Sequence, residues 1–197
     1  MDNTLKNSRS KTRKLVVIGM LGGISIFLGL TPLGIIHLPV MNLTIMHIPV
    51  IIGALLEGPL VGGAIGLIFG LFSMYQNITA PGLTSFIFWN PIVALIPRML
   101  IGVVSYYSFK LLKSKIKNTG ICTGIASILG TLTNTIGVLG LTYILYLDRY
   151  AQAREISRDA VAGTLLTVGL TNGIPEAIVS ALITIPIVVT MLKMKRN

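Results

Sequence analysis

The chain has 197 residues, of which 53% are hydrophobic and 11% charged, and it carries a formal net charge of +10. An ordinary soluble domain holds roughly 25% charged residues, and with a mean hydropathy of +0.84 this chain lacks the polar surface that a soluble fold must show to water. Cytosolic enzymes, coiled coils and disordered chains are excluded, and the composition points to an all-α integral membrane protein.

The few charges divide the chain into elements. Residues 15–56, 58–97 and 118–147 contain no Asp, Glu, Lys or Arg, and residues 160–192 contain only Glu176. A bilayer core needs about 20 apolar residues per helix, so each of the two longest runs holds two spans. The expected architecture is a six-transmembrane-helix bundle forming one domain over residues 15–192, with basic tails at 1–14 and 193–197.

In chain order, span 1 covers residues 15–36. Gly19, Gly22 and Gly23 leave one face nearly bare, and Thr31-Pro32 and Gly34 loosen its outer end. No alanine precedes Ala54, so the A-x-A cleavage pattern of a signal peptide is missing and span 1 is expected to stay in the mature protein. Residues 37–46 are apolar but contain Pro39, Asn42 and Thr44, and are expected as an outer loop folded back over the bundle, a lid. His37 and His47 lie ten apart without an H-E-x-x-H context and are expected as interfacial polar residues rather than metal ligands.

Span 2 is short, residues 47–56, and Glu57-Gly58-Pro59 forms a tight turn. Span 3, residues 60–75, carries Gly62, Gly66 and Gly70 four apart, a smooth face for close helix packing. Residues 76–90 form an outer loop whose Phe86, Phe88 and Trp89 suit the membrane–water interface. Span 4, residues 91–112, contains Pro97-Arg98, and span 5, residues 121–147, contains Asn134. A polar outer segment, open to helix, occupies 148–159. Span 6, residues 161–192, is interrupted by Asn172-Gly173-Ile174-Pro175-Glu176.

Twelve of the 16 basic residues lie in three clusters, before span 1, after span 4 and after span 6. An even number of spans puts these clusters on one side, and the positive-inside rule makes that side the cytoplasm. Arg149, Arg154 and Arg158 lie outside, balanced by Asp148, Glu155 and Asp159. Apart from Arg98, the basic residues sit at or beyond span ends, which argues against nucleic acid as a partner.

Cys122 is alone, which excludes a disulfide framework and a cysteine metal site. No phosphate-binding glycine loop occurs. Neither a cofactor nor a metal is expected, and no enzymatic activity. An intramembrane hydrolase using Glu57 or Glu176 is the alternative, although no acid–base pair is evident.

Two charges remain inside spans. Arg98 lies about 10 Å deep if span 4 enters at Pro91, and a charge at such a depth faces a partner or a wet cavity. It either receives a substrate carboxylate or pairs with Glu176. Glu176 pairs with Arg98, accepts a substrate hydroxyl, or carries a proton. Asn134 and Asn172 offer donors and acceptors to an amide or hydroxyl ligand, or else bond between helices. Asn90 and Tyr106 complete the candidates; an interfacial cap and ordinary packing are their competing roles. Gly19 and Gly23 serve either packing within the bundle or the docking of a partner helix.

Residues 47–71 (HIPVIIGALLEGPLVGGAIGLIFGL) resemble the second and third helices of the substrate-binding S components of energy-coupling factor (ECF) vitamin transporters. The basic start with Gly19 and Gly23 resembles that family's first helix, where small residues four apart, usually alanines, dock on the T component. Residues 90–102 (NPIVALIPRMLIG) and 172–184 (NGIPEAIVSALIT) look most like the pantothenate-type members. The resemblance implies a six-helix vitamin binder in a bacterial cell membrane, without its own ATPase. Such a subunit captures its vitamin outside, joins a T component and two cytoplasmic ATPase subunits, and topples to release the vitamin inside. Pantothenate fits, its carboxylate suiting Arg98 and its amide and hydroxyls suiting Asn134 and Asn172. Riboflavin, folate, nicotinate or a thiamine precursor are the other substrates the family would allow.

Overall fold

The computed structural model describes residues 2–37 and 42–195. Helix α1 (Asp2–Leu30) leads through a short 3₁₀ turn to an antiparallel hairpin, β1 (Ile35–His37) with β2 (Asn42–Thr44). Then follow α2 (Ile48–Glu57), α3 (Pro59–Thr79), a 3₁₀ turn (Ser85–Ile87), α4 (Pro91–Lys115) and α5 (Thr119–Arg154). Helix α6 (Ala160–Val168) runs through a π-helical turn (Gly169–Gly173) into α7 (Ile174–Met194).

The protein is a bundle of apolar helices, as its composition requires. Among the described residues, five helical segments are long and apolar enough to cross a membrane: Lys11–Leu30, Pro59–Thr79, Pro91–Lys115, Thr119–Arg154 and Ala160–Met194. Ile48–Glu57 is shorter, about 15 Å at 1.5 Å per residue. Most of α2 is buried, so its neighbours, not lipid, satisfy its surface.

The expected helical class holds, with one short antiparallel hairpin added to it: β1 pairs with β2 in the register Ile35 with Thr44 and His37 with Asn42. The hairpin occupies part of the outer loop expected over 37–46, of which residues 38–41 lie outside the described part. Helix α1 starts at Asp2, within the basic stretch before residue 15. Helix α5 runs on to Arg154, so the first part of the polar outer segment is helical, and it carries a kink at Tyr146, whose φ is −133°. His47 is buried rather than interfacial and hydrogen-bonds the Thr131 hydroxyl at 3.0 Å. Phe86 is also buried, its ring edge against Tyr146.

The turn between α2 and α3 follows the expected chemistry. Gly58 takes φ 103°, open to glycine without strain, and Pro59 opens α3, where no backbone donor is needed. The glycine ridge of α3 then lies on α4. A β-carbon at Gly62 would sit 2.9 Å from the Gly102 Cα, and one at Gly70 would sit 2.7 Å from the Ala94 carbonyl oxygen. Gly66 meets the backbone of Arg98 and Met99. Close approach of backbones is the main attraction available to helices in lipid, and here it fixes α4, and with it Arg98, against α3.

A single carboxylate gathers one end of the bundle. Glu57 pairs with Arg13 of α1 at 2.6 Å and with Lys195, beyond α7, at 3.5 Å, and the Lys195 ammonium also donates to the Leu56 carbonyl. The hairpin, the start of α4 and the end of α5 lie at the other end, where Phe86, Ile87, Val93, Tyr150 and Val161 form a second apolar cluster.

Candidate functional site

A cavity of about 320 Å³ lies beneath the hairpin end. It is lined by Arg98 of α4, Asn134 and Thr135 of α5, Asn172 of the π-turn and Glu176 of α7, with Phe69, Ser73 and Gln76 of α3, Phe88, and Thr44 and Met46 beside the hairpin. Four residues expected in a site from the sequence, Arg98, Asn134, Asn172 and Glu176, are therefore brought together. A larger hollow of about 460 Å³ lies between α5 and α6, with a lining that includes Leu132, Ile136, Leu166 and Leu170. It contains no charged group, so the polar cavity is the one equipped to orient a ligand.

Arg98 is placed by the residue before it. Pro97 has no N–H, which leaves the carbonyl of Val93, one turn earlier, without its helical donor. The Arg98 guanidinium fills that vacancy, donating through Nη1 to the Val93 oxygen at 2.7 Å. The rings of Phe88 and Phe69 flank it, 4.9 and 5.7 Å from the guanidinium carbon, in reach of cation–π attraction. Arg98 is buried and its Nε has no partner among the described residues.

Glu176 sits in the first turn of α7, where Pro175 restarts the helix after the π-turn. Its Oε1 accepts from both the backbone N–H and the hydroxyl of Thr44, each at 2.8 Å. Among the described residues no ion pair joins Glu176 to Arg98, so of the two alternatives for Arg98 the internal pair is not the one formed. The cavity thus holds a cation and an anion from different helices, each met only by neutral groups.

The π-turn has a positional effect. One extra residue per turn shifts the following side chains, and Asn172, within this turn, lines the cavity. Gly173 lets the turn lie on Thr135, whose methyl would be 3.0 Å from an added β-carbon. Asn134 presents a buried Oδ1 that has no protein donor among the described residues.

Asn90 and Tyr106 stand outside the lining. Asn90 caps α4, its Oδ1 accepting from the Ile92 N–H at 2.9 Å while its amide donates to the Tyr146 hydroxyl. Tyr106 makes an edge contact with Tyr107. Gly19 and Gly23 lie on the outward face of α1, with no heavy atom within 4 Å of an added β-carbon, whereas Gly22 faces Ile68 inside the bundle.

Sequence reasoning missed Thr44, Met46, Phe69, Ser73, Gln76, Phe88 and Thr135. Phe69 lies next to Gly70 of the ridge and one turn from Gly66, which was the available signal that it faces α4. Phe88 was read as an interfacial aromatic, and the pattern of residues 86–89 alone does not distinguish the two roles.

The chain matches the family described as ECF transporter, substrate-specific component, over residues 13–188. It belongs to that family. This substrate-specific component is accordingly a transporter subunit and not an enzyme, and its apolar helices make it a multi-pass membrane protein. It is similar to the pantothenic acid transporter PanT of Lactococcus lactis subsp. cremoris, with 27% identity over 150 residues that cover 69% of this chain and 70% of the relative. It is also similar to the pantothenate transporter PanT of Leuconostoc mesenteroides subsp. mesenteroides, with 34% identity over 122 residues, 59% of each chain.

Proposed function

We propose that this S component captures pantothenate in the cavity around Arg98 and delivers it across a bacterial cell membrane. The observation that carries the reading is a buried guanidinium with an unused donor, beside amide groups and a carboxylate acceptor. Pantothenate has a carboxylate at one end, two hydroxyls at the other, and an amide between. In this reading Arg98 takes the carboxylate, Asn134 and Asn172 take the amide, and Glu176 takes a hydroxyl. The two relatives described as pantothenate transporters support the same substrate.

The assembly follows from the family. A T component and two cytoplasmic ATPases act with this subunit, and Gly19 and Gly23 form the face on which the T component docks. The bundle crosses the membrane six times, with Glu57 and both termini in the cytoplasm, where the basic clusters also lie.

Calorimetry on purified Arg98→Ala protein tests the site. Pantothenate affinity should fall by at least about 100-fold, as loss of a buried charge-assisted pair implies. Affinity for pantothenol, which has an alcohol in place of the acid, should change far less. An equal loss for both compounds would move Arg98 to a structural role. Mass spectrometry of the ligand carried through purification checks the substrate directly, and a different vitamin there would replace pantothenate.

A further inference from the structure

Residues 44–47 connect the hairpin to α2, and three helices hold them. Glu176 of α7 takes both donors of Thr44. Ser25 of α1 donates to the Met46 carbonyl at 3.1 Å. The Thr131 hydroxyl of α5 gives its proton to the Ser127 carbonyl, so in its 3.0 Å contact with His47 it accepts from the Nε2–H. Thr44 and Met46 line the cavity, so this strap forms part of the wall that a ligand touches.

The two Thr44 bonds end on one oxygen of Glu176, Oε1. A carboxylate offers about four lone-pair sites over two oxygens, and Oε2 receives no donor from the described residues. Glu176 also lines the cavity. A buried carboxylate is stable when its lone pairs are met by donors, and an ionised carboxylate can only accept.

We infer that Glu176 has two tasks: Oε1 positions the strap through Thr44, and Oε2 receives a hydroxyl donated by the ligand. The inference rests on the reading of the cavity as a site for a hydroxylated carboxylic acid. It makes Glu176 the specificity-determining residue at the end of the ligand away from Arg98. A hydroxyl donor is accepted there, and a second carboxylate on the ligand is repelled. Strap and ligand steady the same side chain, so ligand release and loosening of residues 44–47 are coupled.

The test uses the full chain in nanodiscs, as wild type, Glu176→Gln, Thr44→Val and Thr44→Ser. Two quantities are measured: amide hydrogen exchange at residues 42–47 without ligand, and binding of pantothenate against N-pivaloyl-β-alanine. The latter compound keeps the carboxylate, the amide and the branched apolar end but lacks both hydroxyls. Wild type should prefer pantothenate by about 10- to 100-fold, the range of a hydrogen bond to a charged group. Glu176→Gln should shrink that preference to within about threefold and quicken ligand-free exchange about tenfold. Thr44→Val should quicken exchange and pantothenate dissociation about tenfold while keeping the preference for hydroxyls, and Thr44→Ser should restore both rates.

Unchanged ligand-free exchange in both Glu176→Gln and Thr44→Val would remove the strap role. An undiminished preference in Glu176→Gln would remove the hydroxyl role. Wild-type protein that binds neither compound overturns the pantothenate reading and the hydroxyl role together, and the exchange measurement still decides the strap.

Discussion

Pro97 and Arg98 work as a pair. Proline in a helix interior removes a backbone donor and strains the turn, at about 3 kcal/mol in an ordinary helix. Here the vacated Val93 carbonyl anchors the guanidinium that faces the cavity. Pro97→Ala would return an N–H to that carbonyl and compete with the side chain. The expected outcome is a higher melting temperature together with pantothenate affinity weakened about tenfold, read by thermal unfolding and calorimetry on one sample. A fall in both quantities would mean that Pro97 matters for the shape of α4 and not for Arg98. At this scale Arg98 and Glu176 were legible in the sequence because charge inside an apolar run is costly enough to announce itself. Phe69 and Phe88 were not, since an aromatic is at home in lipid, at an interface or against a cation. Thr44 was hidden for another reason: its bonds to Glu176 span 132 positions, and no local pattern encodes such a contact.

Two sets of glycines at the same four-residue spacing have opposite surroundings. Gly62, Gly66 and Gly70 of α3 are filled by α4, whereas Gly19 and Gly23 of α1 face outward with nothing near them. Gly66→Leu should therefore fail to yield folded protein, because its side chain would enter the backbone at Arg98 and Met99. Gly19→Leu and Gly23→Leu should fold and bind ligand as wild type does, yet lose co-purification with the T component. Normal assembly in both α1 variants would cancel the docking assignment. Helix existence and order were legible here because long apolar runs are a strong signal. The glycine spacing read as packing on α3 and as a choice between packing and docking on α1; the fold shows that, among the described residues, nothing packs on Gly19 or Gly23. The hairpin was illegible, its strands being three residues each and paired across residues 38–41. The kink at Tyr146 escaped as well, since neither proline nor glycine marks it.

At the scale of the whole molecule, Glu57 adds an electrostatic tie to the apolar core that α1, α2, α3 and α7 share. It ties α1, the α2–α3 turn and the end of the chain at one point. The Glu57 carboxylate is mostly buried, while Arg13 and Lys195 are about half exposed. Glu57→Gln should lower stability by about 1 kcal/mol, the upper range for pairs open to solvent, and the loss should shrink as salt is raised in thermal unfolding. Loss of the fold would show instead that the turn itself depends on the charge. The side on which this end lies was inferred from the basic clusters, whereas the meeting of Arg13 with Lys195 on one acid required the three-dimensional arrangement.

The same meeting point makes the order of the helices separable from their connection. Arg13 and Lys195 share a partner, so with the part of α1 before Arg13 removed a short flexible linker could join these two points, and the exposed turn between α4 and α5 could be opened at residues 116–118 instead. Chain ends that lie close together generally tolerate such rewiring. A circular permutant that begins at α5 and ends at α4 should keep the cavity, because the elements that line it keep their neighbours in space.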